Sequence, residues 1–91
     1  MRMADRIAGK LTGALAPTRL AVKDNSEQHR GHAGARPGGE THFAVEIVAA
    51  RFAGLSRVAR QRLVYGALAD ELAGGVHALE LKTLTPEEDK A

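Results

Sequence analysis

Cysteine is absent from the 91 residues. Disulfides, a thiol nucleophile and an all-cysteine metal site are thereby excluded. An iron–sulfur cluster held conventionally by this chain alone is excluded as well, because thiolates do most of that ligation. Any cluster would need a partner that brings sulfur. Tryptophan is absent too, and the aromatics are only Phe43, Phe52 and Tyr65, too few for a base-stacking platform. No apolar run approaches the roughly 18 residues of a membrane span. The stretch from Met1 to Arg6 has no apolar segment behind it of the kind a secretory signal carries. No membrane association and a cytoplasmic location are expected, and a cysteine-free chain is compatible with a reducing compartment.

What remains suits one small globular domain over residues 1–91. Hydrophobic residues make up 44% and charged residues 26%, enough apolar surface for a single core. Thirteen basic residues against eleven acidic ones leave a net charge of +2, a mild pull toward acidic partners.

Periodicity sets the elements. Ile7, Leu11 and Leu15 recur at helical spacing, and Pro17 ends that helix. Thr18 to Asp24 alternates, with Leu20 and Val22 on one side, and reads as a strand. The segment 25–40 carries Gly31, Gly34, Pro37, Gly38 and Gly39 with no apolar period, and is expected to be a long mobile loop. Thr41 to Ala50 alternates again, Phe43, Val45 and Ile47 sharing one face. Ser56 is a suitable N-cap for a helix to about Ala73, with Val58, Val64, Tyr65, Leu68 and Leu72 as its apolar stripe and Gly74-Gly75 as its end. Val76 to Leu84 is the third strand. Thr85-Pro86-Glu87-Glu88 resembles a cap and a short helical turn within a terminal tail, 86–91.

The order α-β-β-α-β predicts an α+β domain: a three-stranded mixed sheet with helices on one face. The strand–helix–strand unit requires a right-handed crossover and parallel strands. Parallel strands begin at the same end of a sheet, so His42 and His77, which open the second and third strands, should be neighbours. His29 and His32 lie in the loop that leads into His42. The arginines would gather at the other end, on the order of 25 Å away along the helix.

Each cluster has two readings. His77 shares the parity of Leu79 and Leu81, so its ring should lean toward the helices. It is either a half-buried histidine bonded to a backbone carbonyl or a metal ligand. Arg51, Arg57, Arg60 and Arg62 crowd the start of the long helix while Asp70 and Glu71 sit near its end, against the helix dipole. That arrangement is either a solvated face or a binding site for phosphates or an acidic protein. The string Gly31-His32-Ala33-Gly34 spells the GxxG of RNA-binding KH domains, but those domains place it between helices and here it falls between strands. Catalysis finds no support. Ser56 serves better as a cap than as a nucleophile, and His42 and Glu46, four apart on a strand, are roughly 13 Å apart.

The stretches Glu40 to Val48, Phe52 to Val58, Arg60 to Leu68, Glu71-Leu72, Gly75 to Leu79 and Thr83 to Pro86 resemble the BolA family in its bacterial type. The most specific strings are Gly75-Val76-His77-Ala78-Leu79 and Arg60-Gln61-Arg62-Leu63-Val64-Tyr65. The resemblance implies the same α-β-β-α-β fold, related to class II KH domains, and a non-enzymatic adaptor. It implies a monothiol glutaredoxin as partner, with glutathione, and a [2Fe-2S] cluster shared between the two and absent from the isolated chain. His77 falls on the family's histidine ligand. The second ligand would come from the loop, as His29 or His32, with His29 favoured by its spacing from Asp24-Asn25-Ser26. His42 and His77 would lie at the partner face. Because histidine coordinates only when neutral, cluster binding should weaken as pH falls through the imidazole range. The founding members are transcriptional regulators of morphology and stress response, so Arg51, Arg57, Arg60 and Arg62 would be the nucleic-acid side. Gln61 stands where many relatives carry histidine. Alone, the chain is expected to be a monomer or weak homodimer.

Overall fold

The computed structural model describes residues 2–25 and 42–90. His29, His32 and almost all of the expected loop 25–40 lie outside the described residues. Helix α1 runs Met3–Leu15, strand β1 Arg19–Asp24 and strand β2 His42–Val48. A single 3₁₀ turn, Ala50–Phe52, leads to helices α2 (Arg57–Ala67) and α3 (Ala69–Gly74), strand β3 (Ala78–Leu84) and helix α4 (Pro86–Lys90). No helix among the described residues is long and apolar enough to cross a membrane.

The sheet order is β1-β2-β3. β1 pairs with β2 antiparallel, Val22 opposite Val45, and β2 pairs with β3 parallel, Val45 opposite Leu81. Phe43, Val45 and Ile47 of the central strand are buried against Ile7, Leu11 and Leu15 of α1, Val64 of α2, Leu68 and Phe52. Leu20, Val22, Leu79 and Leu81 complete that face from the outer strands. The α+β sheet with α1, α2 and α3 on one side is therefore the architecture that the alternation predicts, and α4 is bonded through Asp89 to Arg19 of the opposite face.

Two expectations need correction in the crossover. The helix starting at Ser56, whose Oγ accepts a hydrogen bond from the Ala59 N–H at 3.2 Å, does not run unbroken to Ala73. It breaks at Leu68, where φ is −106° and ψ 17°. Gly66, two residues earlier, weakens the helix there. The break also resolves the charge puzzle. Asp70 and Glu71 are first-turn residues of α3, where the dipole favours acids. Glu71 is buried and takes a 2.9 Å hydrogen bond from Arg6, with Lys10 Nζ 3.4 Å from its other oxygen. The second correction is the helix phase. Arg60, Val64 and Leu68 face inward, while Val58 and Tyr65 of the expected stripe are exposed.

Residues 86–90 form a docked helix and not a tail. Thr85 and Glu88 make a reciprocal cap. The Glu88 N–H donates to Thr85 Oγ1 at 3.2 Å, and the Thr85 N–H donates to Glu88 Oε1 at 2.8 Å. Glu88 also accepts from Arg60 Nη1 at 2.7 Å, and Asp89 from Arg19 Nη2 at 2.6 Å. The register sets Arg19 opposite Val48 and Val48 opposite Leu84, so the Arg19 side chain crosses β2 to reach α4. Val48 is fully buried although its parity turns it away from the main core.

Ala16 follows α1 in the left-handed region (φ 45°), its N–H bonded to Thr12 O. A side chain there is strained and glycine is not. Ala16→Gly should therefore raise stability by about 0.5–1 kcal/mol net of the added chain entropy, seen as a higher denaturation midpoint.

The Arg60 guanidinium, followed by the Thr85 N–H, holds the Glu88 carboxyl down at about 2. Asp89 is lowered by Arg19, and Glu46 by Arg19 and Lys82. A depressed folded-state value stabilises above the unfolded value and loses that contribution as pH falls. The Glu88 contribution is thus complete above roughly 4.3 and disappears as pH drops toward about 2. In an acid titration followed by NMR, α4 should detach over that window while the core resonances persist. An α4 still docked at the bottom of the window would contradict the assignment.

Candidate functional site

His42 is the first residue of β2 and His77 immediately precedes β3. Because β2 and β3 are parallel with His42 opposite Ala78, the two histidines meet at the same sheet end. Their rings stack with centroids 6.3 Å apart and planes 19° from parallel. His42 is half-buried, and its backbone oxygen accepts from the Asn25 N–H at 2.7 Å. His77 is exposed. The expectation that its ring leans toward the helices fails, because the strand alternation starts only at Ala78. Among the described residues no three His, Asp or Glu side chains are grouped so as to hold a metal ion.

Asn25, where the described part of the chain stops on this side, has a buried Oδ1 without a hydrogen-bond partner. A buried amide oxygen left unpaired is costly, so this end of the sheet carries an acceptor whose demand the described residues do not meet. Sequence reasoning missed it, since nothing in a lone asparagine signals burial.

The arginines form no single patch. Arg60 is only 8% exposed. Its Nε donates to Leu55 O at 3.0 Å, its Nη1 to Thr83 O at 3.2 Å and to Glu88, and its guanidinium carbon lies 6.0 Å from the centre of the Phe52 ring. Its donors are consumed inside the fold, so the expectation that Arg60 contacts nucleic acid is corrected: it is a structural cross-brace. Arg51 is exposed and donates to Ala14 O at 3.4 Å, at the C-terminal end of α1, where a cation suits the dipole. Arg57 and Arg62 are exposed on α2. Five residues apart on a helix, they diverge by about 140°. Arg57 lies beside Thr83 and Leu84, at the end of β3 opposite His77 and roughly 20 Å from it along the strand.

The other face of the sheet carries a charge ladder. Arg19 pairs with Glu46, and Lys82 Nζ lies 3.3 Å from Glu46. Beside the ladder is an open depression of about 400 Å³ lined by Ala21, Lys23, Ala44 and Glu80. Glu46 and Lys82 of the ladder form part of its wall.

Comparison with known proteins fits this geometry. A family model described as BolA-like protein matches residues 11–88. The chain is 47% identical over 87 residues to "Protein BOLA1, chloroplastic" of Arabidopsis thaliana, covering 93% of this chain and 54% of that protein. It is 46% identical over 88 residues to "UV-induced protein uvi31" of Schizosaccharomyces pombe, covering 92% of this chain and 86% of that one. It thus spans about half the length of the plant relative and most of the yeast one. Among solved structures, the BolA domain of SufE1 from Arabidopsis thaliana superposes with a TM-score of 0.84 at 47% identity, covering 93% of both chains.

The division among the arginines is testable. Arg60→Ala should cost about 1.5–3 kcal/mol of stability, since it strips partners from two carbonyls and a carboxylate, and Arg60→Lys should not restore it. Arg57→Ala and Arg62→Ala should leave the denaturation midpoint nearly unchanged. Equal losses in all three variants would contradict the division.

Proposed function

Because the chain belongs to the BolA-like protein family, we propose that it is a non-enzymatic cytoplasmic adaptor that partners a monothiol glutaredoxin. With glutathione, the pair would share a [2Fe-2S] cluster in iron–sulfur trafficking or iron sensing. The observation that carries the reading is the exposed His77 stacked on His42 where two parallel strands begin. An exposed imidazole on a rigid strand end is accessible to a ligand shell completed from outside.

The donor chemistry fits half a site. The chain offers imidazole nitrogens and no thiolate, and iron of a [2Fe-2S] centre accepts histidine when other ligands supply sulfur. His77 would be one ligand. His29 or His32 would be the other, both outside the described residues. His42 would steer the His77 ring by stacking and take part in the partner face. The cluster would be cargo or signal, and the chain's work would be to present nitrogen at a fixed place.

A second reading, a DNA-binding regulator of stress response and morphology, draws on exposed Arg57 and Arg62 and on the lack of any acid in the first turn of α2. Buried Arg60 weakens it.

The deciding experiment is anaerobic reconstitution with a monothiol glutaredoxin, glutathione, iron and sulfide, followed by visible absorption and circular dichroism. The wild-type chain should change the glutaredoxin cluster spectrum and His77→Ala should not, while His42→Ala should give an intermediate spectrum. Identical spectra for wild type and His77→Ala would refute the ligand assignment. For the second reading, DNA affinity should fall steeply with salt, and the double substitution Arg57→Ala, Arg62→Ala should flatten that slope by about two phosphate contacts.

A further inference from the structure

The order β1-β2-β3 leaves β3 at a sheet edge. The direction of its backbone groups follows from one hydrogen bond. Leu84 O accepts from the Ala49 N–H at 3.0 Å, so Leu84 turns its backbone toward β2. Alternate residues of a parallel strand face opposite neighbours. Leu79, Leu81 and Thr83 therefore turn N–H and C=O outward, in agreement with Arg60 reaching Thr83 O from outside. An edge of this kind is a template for another strand.

We propose that this edge pairs with the same edge of a second copy of the chain, antiparallel and centred on Leu81, giving a homodimer with one continuous six-stranded sheet. The strand sequence from Ala78 to Leu84 is Ala-Leu-Glu-Leu-Lys-Thr-Leu, and it is self-complementary in that register. Leu81 meets Leu81 through a reciprocal hydrogen-bonded pair, and Leu79 meets Thr83. Those are the residues whose backbone groups point outward. Glu80 then stands opposite Lys82 of the second copy, twice by symmetry, in non-hydrogen-bonded pairs where side chains approach most closely. Among the described residues nothing pairs with Glu80, and Lys82 is 66% exposed with only Glu46 as partner. A slip of one residue would set Leu81 across from Lys82 and lose both charge pairs. Thr83 O keeps a second lone pair after bonding Arg60.

Helix α2 adds to the same surface. Arg57 and Gln61 line a groove of about 160 Å³ along β3 with Leu81 and Thr83, which identifies the flank of α2 that faces the edge. Val58 and Tyr65, 55% and 40% exposed, continue that flank on adjoining turns. The twofold axis lays the two α2 helices antiparallel and brings Val58 of one copy toward Tyr65 of the other. An apolar side chain and an aromatic one that the monomer leaves in water gain cover. This surface is independent of the histidine end and of the iron–sulfur reading.

Sedimentation equilibrium of the intact chain at loadings up to about 1 mM tests the proposal. The wild type should show a reversible monomer–dimer equilibrium. Glu80→Lys and Lys82→Glu should each weaken it roughly tenfold, by placing like charges opposite each other twice. The double variant Glu80→Lys, Lys82→Glu reverses both signs and should restore it. Far-ultraviolet circular dichroism checks that each variant is folded, and Tyr65→Lys, distant from the strand charges, should weaken the dimer as well. A wild type that stays monomeric throughout, or a dimer untouched by either single charge change, overturns the proposal. So does a double variant as weak as the singles.

Discussion

Two parallel strands cannot be joined by a tight turn, and this chain joins β2 to β3 through α2 and α3. Much else depends on that connection. It brings the starts of two strands, distant in sequence, to one end of the sheet, so His42 and His77 stack. It lays α2 across the sheet in the opposite sense, so Arg57 lies by the far end of β3. It also leaves β3 with a neighbour on one side only. The chemistry-bearing side chains are thus distributed by topology before any of them makes a contact.

Most of this was legible in the sequence. Alternation over the expected strands 41–50 and 76–84 set the sheet faces, although β3 begins only at Ala78; proline and paired glycines marked the helix ends, and the crossover rule supplied the parallel pairing. Legibility failed where one residue type serves two purposes. Arg60 read as a surface charge because arginines usually are. Only the three-dimensional fit reveals two carbonyls, an aromatic ring and Glu88 converging on it. The apolar stripe misled in the same way: Val58 and Tyr65 suit a core by type, but the helix phase sets Arg60, Val64 and Leu68 inward. The break at Leu68 has no local marker beyond Gly66. The histidine site was half legible, in that meeting of His42 and His77 follows from topology, whereas the unpartnered Asn25 oxygen follows from burial that no pattern encodes.

Arg60 also shows why a basic composition is poor evidence for a nucleic-acid surface. Of the four arginines near the start of α2, one is consumed internally and one caps α1. The net charge of +2 then leaves little surplus on that side. The two histidines, by contrast, are stacked on each other where β2 and β3 begin.

Both terminal helices are fastened by charge to segments far along the chain. Arg6 of α1 bonds Glu71 across 65 residues, and Arg19 bonds Asp89 across 70. Closing loops of that length costs entropy, and folds dominated by such contacts assemble slowly. Each ion pair also demands that its backbone scaffold already stand. These electrostatic fastenings therefore close only when both of the segments they join are in place. Arg19, already met by Glu46 on the neighbouring strand, gains its second carboxylate, Asp89, only once α4 has been made.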